Sequence, residues 1–195
     1  MALAADLTPD SGASGPPGDI VWTNPGNAVT CDGVYATCGP LTLFLPSTEL
    51  LILSSYDVSA LNPSGHITGI EVHLEAFIDQ GSANVVQLNL FRRGLGTGDN
   101  KAATPVALTN VETDYQFGAD GDLWSSSFRT VSDFTNPNTG FQVRFLRVGG
   151  PDPTVSVDCM TLTCYFTNSR PFIMRFGLSP RRATLPINRN QRTRI

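Results

Sequence analysis

Apolar and polar residues alternate along much of the middle of the chain. Between residues 67 and 78, every second residue from Ile70 to Ile78 is apolar, and the intervening residues include two glutamates and a histidine. Side chains at positions i and i+2 of a strand lie on the same face of a sheet. This segment therefore predicts a half-buried strand.

Other segments are rich in β-branched or aromatic residues and are separated by clusters of Gly, Pro, Asn or Asp, a pattern typical of short strands and their turns. No segment repeats apolar residues at helical spacing over more than two turns. The further predicted strands are residues 29–38, 41–45, 50–56, 85–91, 141–148, 155–167 and 172–176. The pattern predicts an all-β protein, an antiparallel β-sandwich resembling a jelly roll, with extended N- and C-terminal arms.

The two ends of the chain depart from this pattern. Residues 1–20 are rich in Gly, Pro, Ala and Ser, which predicts an arm or linker. Residues 169–195 are interrupted by three prolines yet retain apolar side chains, which predicts an arm that lies on another surface. The sandwich itself is expected to span residues 21–168.

The charges are distributed unevenly. The net charge of −4 combines a body of −11, from 17 acidic and six basic residues in 1–169, with a tail of +7, from seven arginines in 170–195. An acidic body disfavours nucleic-acid binding, because phosphate contacts require Lys and Arg. The sequence has neither an apolar run of about 18 residues nor the features of a secretory signal, and it is too apolar for complete disorder.

The basic tail is expected to be an assembly arm. Its arginines complement the acidic bodies of neighbouring copies, and its apolar side chains supply burial. The predicted contacts are Arg170, Phe172, Met174, Arg175, Phe176, Arg181, Arg182, Arg189, Arg192 and Arg194. The expected partners are other copies of this chain, in a homo-oligomer, and neighbouring proteins, without a membrane; binding of the tail to packaged DNA is the less favoured alternative.

Three polar patterns are candidate ligand sites. Glu71, His73 and Glu75 share one face of a predicted strand and offer metal ligands, although a solvent-exposed face is the favoured interpretation. Asp120 and Asp122 resemble part of a calcium loop without its full spacing, so we predict a turn. The glycine-rich segment 94–98 opens no helix, and we predict a flexible connection rather than a phosphate site. No metal or other cofactor is expected.

The four cysteines occur at odd spacings. Within uninterrupted strands, Cys31 and Cys38 would point to opposite faces, as would Cys159 and Cys164. Convergence on one zinc ion is therefore disfavoured, and buried free thiols are expected. One disulfide between the two groups is the alternative, if the protein ends outside the reducing cytosol.

The sequence offers little for catalysis, and we expect a protein that is not an enzyme. It contains only two histidines and none of the serine-hydrolase or zinc-protease motifs. Tyr and Trp near Asp and Asn residues can form a platform on which sugars stack, although they serve equally well in a core. The candidate glycan contacts are Trp22, Tyr35 and Trp124, with Tyr56 and Tyr115 as further aromatic candidates.

An ordered set of short motifs resembles a family of small β-sandwich proteins encoded among tailed-phage structural genes. The motifs are WTNPGNA (22–28), DGVYA (32–36), ITGIEV (67–72), DLW (122–124), FQV (141–143) and VDCMTLT (157–163). The resemblance covers residues 21–167. It implies a structural protein of a tailed-phage virion, such as a head decoration, neck, tail or fibre-associated subunit that is assembled in the host cytoplasm, and it implies no catalytic residues. The alternative is a receptor- or glycan-binding β-sandwich module on a tail fibre or head fibre.

Overall fold

The computed structural model describes residues 3–62, 65–92, 95–128, 130–134 and 136–167. In these ranges the chain forms strands and two short 3-10 turns, Pro25–Val29 and Val131–Asp133. The strands are β1 (Leu3–Leu7), β2 (Pro9–Gly15), β3 (Ala36–Cys38), β4 (Leu50–Tyr56), β5 (His66–Ile78), β6 (Ser82–Arg92), β7 (Leu95–Thr97), β8 (Val106–Ala107), β9 (Thr113–Ala119), β10 (Thr139–Gly149) and β11 (Val155–Thr167). No described segment is a helix long and apolar enough to cross a membrane.

The described strands form two antiparallel sheets. Sheet A has the order β1-β11-β5-β9, with β3 also paired to β11, and sheet B has the order β2-β4-β10-β6-β7, with β8 also paired to β6. The inward side chains of both sheets form one core, which contains the alternating apolar residues of β5. The predicted all-β antiparallel sandwich is confirmed.

The N-terminal segment belongs to this sandwich. Leu3–Leu7 pairs with β11 in sheet A, and Pro9–Gly15 pairs with β4 in sheet B. The chain thus passes from one sheet to the other at Thr8. The expected arm over residues 1–20 is wrong for this segment, because β11 and β4 offer backbone donors and acceptors that the segment satisfies despite its weak apolar pattern.

Two other strand predictions require correction. Only Ala36–Cys38 is a strand within 29–38, because Pro25–Val29 forms a 3-10 turn and a loop follows it. Residues 41–45 form a turn in which Thr42 and Leu45 are hydrogen-bonded to each other, and Phe44 is 93% exposed. Apolar content alone produced that prediction. The strands predicted at 50–56, 85–91, 141–148 and 155–167 are confirmed within β4, β6, β10 and β11.

Candidate functional site

A cavity of about 460 Å³ opens on the outer face of sheet B, between the turn after β2 and the hairpin of β6 and β7. Its size lies within the range of about 300–1,000 Å³ that is usual for small-molecule sites. Six lining residues are apolar: Pro16, Pro17, Leu50, Ile52, Phe91 and Leu95. Two glutamines, Gln87 and Gln142, supply the polar side chains of the lining, which contains no ionisable residue.

Strand alternation places the two glutamines on this face. In β10, Phe141 and Val143 point into the core and are fully buried, so the intervening Gln142 points outward. In β6, Leu88 points inward, and its neighbour Gln87 lies on the outer side. Because β6 pairs with β10 in register, both amides reach the same cavity.

Gln142 is a largely buried residue that lines the cavity. It is only 5% exposed, and no group among the described residues forms a hydrogen bond with its side-chain amide. The same part of the chain supplies no hydrogen-bond partner for the amide of Gln87. The amide atoms of both glutamines are accessible to solvent in the cavity rather than sealed in the core. The cavity therefore presents unpaired donors and acceptors to whatever enters it.

Gly96 in β7 leaves room for the amide of Gln142. A Cβ atom built on Gly96 would lie 2.4 Å from Gln142 Nε2, closer than van der Waals contact permits. Gly15 has a similar role on the opposite wall, where an added Cβ would lie 2.9 Å from Ile52 Cδ1. These two glycines let the cavity extend down to the sheet.

The outer face of sheet A is chemically different. As predicted, Glu71, His73 and Glu75 stand on one face of β5. His73 Nδ1 lies 3.0 Å from Asp114 Oδ2 and its Nε2 lies 3.3 Å from Glu71 Oε1. The Tyr165 hydroxyl donates to Glu71 at 2.8 Å. His73 is therefore held between two carboxylates, and its two ring nitrogens are both engaged.

Glu75 belongs to an acidic group with Glu112 and Asp158, whose carboxylate oxygens lie within 4.8 Å of one another. Such oxygens suit a hard divalent cation. Asp158 is buried at a β-bulge of β11, and its Oδ1 accepts hydrogen bonds from Asp32 N at 3.3 Å and Gly33 N at 2.9 Å. Burial, followed by the neighbouring negative charges, raises the pKa of the Glu75 carboxyl. Protonation relieves the repulsion within this group.

The expectation of four free thiols is wrong for one pair, and the alternative of one disulfide between the two cysteine groups is confirmed. Cys31 and Cys159 form a disulfide with a Cα–Cα distance of 5.0 Å, whereas Cys38 and Cys164 are free and buried. The prediction assumed a continuous strand through Cys31, but this residue lies in a loop that reaches β11. The sulfurs of Cys31 and Cys159 lie close to the Glu75 carboxylate, but because they are bonded to each other they cannot act with it as thiolate metal ligands. Burial raises the pKa of each free thiol to about 12, which keeps both protonated.

The predicted aromatic platform is not present. Trp22 and Trp124 are 4% and 0% exposed, and their indole N–H groups donate to Glu49 O at 2.8 Å and Ile70 O at 3.0 Å. Both side chains therefore belong to the core, and the expectation that they contact a glycan is wrong. Tyr35 is half-buried on the side of sheet A, where its ring contacts Phe77 at 5.2 Å. Tyr56 is buried in the core. Tyr115 lies in β9 of sheet A and does not line the cavity on sheet B.

The two predicted loops have structural roles. Asp122 Oδ1 accepts from Trp124 N at 2.8 Å and from Lys101 Nζ at 3.0 Å, which agrees with the predicted turn. Leu95–Thr97, within the glycine-rich segment, forms β7 and pairs with β6, so the predicted flexible connection is wrong for these three residues. The expected assembly arm over 169–195, with all of its predicted contacts, lies outside the described residues and stays a prediction.

Sequence comparisons give no family for this chain. No protein-family model matches it, and no curated protein is similar to it in sequence. The resemblance to tailed-phage proteins therefore stays a prediction.

Comparison with solved structures gives several weakly similar chains. They include a mutant of CBM29-2, a family 29 carbohydrate-binding module, in complex with mannohexaose (TM-score 0.37, 13% identity, 84% of this chain and 92% of that one). The xylan-binding module CBM15 matches with a TM-score of 0.33 and 12% identity over 87% of this chain and 99% of that one. A family two carbohydrate esterase from Cellvibrio japonicus matches with a TM-score of 0.33 and 11% identity, over 87% of this chain but only 36% of that one. Scores of this size support no statement about function.

Proposed function

We propose that this protein is a non-catalytic carbohydrate-binding module, and that a sugar chain binds in the cavity on the outer face of sheet B. The observation that carries the proposal is the side chain of Gln142, which is 95% buried by its surroundings, lines the cavity, and has no hydrogen-bond partner among the described residues. A side-chain amide offers both donors and an acceptor. Sugar hydroxyls, which also both donate and accept, match it.

The apolar lining fits the other part of a sugar. Each sugar ring has C–H groups that pack against apolar or aromatic side chains, while its hydroxyls require polar partners. Phe91, Leu50 and Ile52 provide the apolar surface beside the two glutamines. A mostly apolar cavity with a few polar groups is typical of sites that bind small molecules.

The same lining supports binding without chemistry. Hydrolysis of a glycosidic bond generally uses two carboxyl groups on either side of that bond. The cavity is lined by glutamines, glycines, prolines and apolar side chains, none of which titrates near neutral pH. A sugar bound there meets hydrogen-bonding groups rather than an acid and a base.

The disulfide supports a working location outside the reducing cytosol. Disulfides persist in oxidising environments and are rare where glutathione keeps thiols reduced. Cys31 and Cys159 are far apart in sequence, so their bond links a loop to the last described strand. A module that meets polysaccharide outside a cell, such as on a phage fibre, satisfies this requirement.

Binding to an array of neutral and acidic polysaccharides tests the proposal. The wild-type protein is expected to retain at least one polysaccharide, and the double variant Gln87→Ala/Gln142→Ala to bind it at least about tenfold more weakly, because several hydrogen bonds are lost. The matched control is Gln116→Ala, which removes an amide from β9 on the outer face of sheet A. Wild-type binding by the double variant, or no binding to any polysaccharide, contradicts the proposal.

The phage setting is a separate proposal that rests on the sequence motifs alone. In this setting the module belongs to a tail fibre or head fibre, and the basic tail, which follows β11, attaches it to its neighbours. Deletion of residues 170–195 is expected to leave a folded domain that binds glycan but does not enter particles. Incorporation of the truncated protein at the wild-type level would overturn this role for the tail.

A further inference from the structure

We infer that the sugar chain bound at sheet B is acidic, and that the carboxylate of a uronic acid pairs with Arg144. This inference rests on the proposed function, because it extends the same site along β10. It adds a ligand class and a residue that determines specificity.

Arg144 stands on the same face as the two glutamines. It follows Gln142 by two residues in β10, and the neighbours on either side of it, Val143 and Phe145, are fully buried in the core. Its Cα partner in β6 is Gln87. Two residues along a strand span about 7 Å, so one ligand chain can contact Gln142 and Arg144 together.

Arg144 differs from the other two described arginines in having no partner. Arg92 pairs with Asp133 at 3.4 Å, and Arg147 Nε lies 3.3 Å from Asp152 Oδ1. Within the described ranges Arg144 forms no ion pair and no hydrogen bond, and its Nε is buried without an acceptor. A buried N–H in this state has lost its water contacts without gaining an acceptor in the protein.

Asp19 lies close enough to Arg144 to interact with its charge, but its carboxylate is already hydrogen-bonded to Ser47. Asp19 Oδ2 accepts hydrogen bonds from Ser47 Oγ at 2.6 Å and from Ser47 N at 2.8 Å. These hydrogen bonds chiefly, and the charge of Arg144 to a smaller extent, lower the pKa of the Asp19 carboxyl. Asp19 is therefore close enough to sense Arg144 but forms no ion pair with it.

A planar carboxylate is the group that a free guanidinium recognises best. It accepts two parallel N–H bonds from one arginine, and such charge-assisted bonds are stronger than bonds between neutral groups. The cavity lining contains no acidic side chain, and Asp19, which senses the charge of Arg144, is hydrogen-bonded to Ser47. The glutamines then hold the neutral hydroxyls while Arg144 holds the acidic group.

The test is a set of matched polysaccharide pairs. Polygalacturonate, alginate, glucuronoxylan and hyaluronan are each compared with their carboxyl-reduced forms, in which the acid becomes an alcohol. The wild-type protein is expected to prefer the acidic member of at least one pair by about tenfold, and Arg144→Gln to abolish that preference. Arg144→Lys keeps the charge without the planar geometry and is expected to retain part of it. Arg147→Gln is the matched control and is expected to keep the full preference.

The outcomes separate the two proposals. If the protein binds neutral and carboxyl-reduced polysaccharides as well as acidic ones, or if Arg144→Gln keeps the preference, the inference is overturned and the proposed function stands. If no polysaccharide binds, both fail. If desulfation of a sulfated glycan weakens binding while carboxyl reduction has no effect, the carboxylate assignment is wrong. Thermal unfolding of each variant shows that a lost preference is not lost folding.

Discussion

The outer faces of the two sheets differ in how their polar side chains are used. On sheet A, His73 is held by Asp114 and Glu71, and Tyr165 donates to Glu71. On sheet B, Gln142 is only 5% exposed as a residue, and its side-chain amide has no partner among the described residues. On sheet A, His73 and its two carboxylates are thus paired with each other, whereas on sheet B Gln142 and Arg144 have no partner among the described residues. The proposed site on sheet B therefore rests on hydrogen-bonding groups without protein partners, not on the variety of ionisable groups.

The largest expected effect concerns sheet A and stability. Cys31→Ser removes the bond between the loop and β11, which closes a sequence separation of 128 residues. Loss of a native disulfide should lower the free energy of unfolding by about 2–4 kcal/mol. Denaturant unfolding measures the change, and glycan binding by the folded variant is expected to stay at the wild-type level. Weaker binding at full folding would show that the two faces are coupled.

Thiol titration provides the control for that variant. The native protein should react with no thiol reagent over minutes, because burial holds the pKa of Cys38 and of Cys164 at about 12. The unfolded but unreduced protein should show the two free cysteines, Cys38 and Cys164, and the reduced protein all four. Four reactive thiols before reduction would contradict the disulfide.

The next effect concerns sheet B and binding. Gln142→Met replaces the unpaired amide with an apolar side chain of similar length, so affinity for a bound polysaccharide is expected to fall about tenfold. The free energy of unfolding is expected to change by less than about 1 kcal/mol, because the amide forms no hydrogen bond with the described residues that the substitution would remove. Calorimetric titration and denaturant unfolding measure the two quantities. A large loss of stability would mean that Gln142 has a structural role.

The smallest expected effect tests the acidic group of sheet A. The pKa of Glu75 is raised above its ordinary value of 4.5, so the folded state holds this proton to higher pH than the unfolded state does. The stabilisation that the protonated Glu75 carboxyl gives the folded state is therefore present below about pH 4.5, and it is lost as the pH rises through the folded-state pKa. Glu75→Gln is expected to raise the melting temperature by about 1–2 °C at pH 7. The gain should shrink toward pH 4, and a gain that is constant with pH would contradict the explanation.

Part of this fold is predictable because part of it follows strand periodicity. The strand over 155–167 coincides with β11, and the alternation in 67–78 identifies β5. β1 and β2 are not predictable in the same way, because their residues are small or polar and their pairing depends on strands far away in sequence. Gly12 also packs closely against the 3-10 turn, since a Cβ there would lie 2.2 Å from Pro25 O. β9, in contrast, alternates polar and aromatic residues and could have been found.

The candidate site was harder to predict than the fold. The aromatic side chains of Trp22 and Trp124 predict glycan contacts, but large aromatic side chains are equally suited to a core, and both are buried there. A glutamine in a strand gives no comparable signal. Its significance depends on which groups fail to approach it in three dimensions, and that information is absent from a single sequence.

Side-chain NMR of the protein titrated with a bound polysaccharide tests most directly whether sheet B holds the ligand. The side-chain amide signals of Gln87 and Gln142 are expected to shift on titration, while the ring signals of His73 on sheet A stay in place. Gln142→Met identifies the Gln142 signal by its loss. Shifts at His73 with unchanged glutamine amides would contradict the assignment of the binding site to sheet B.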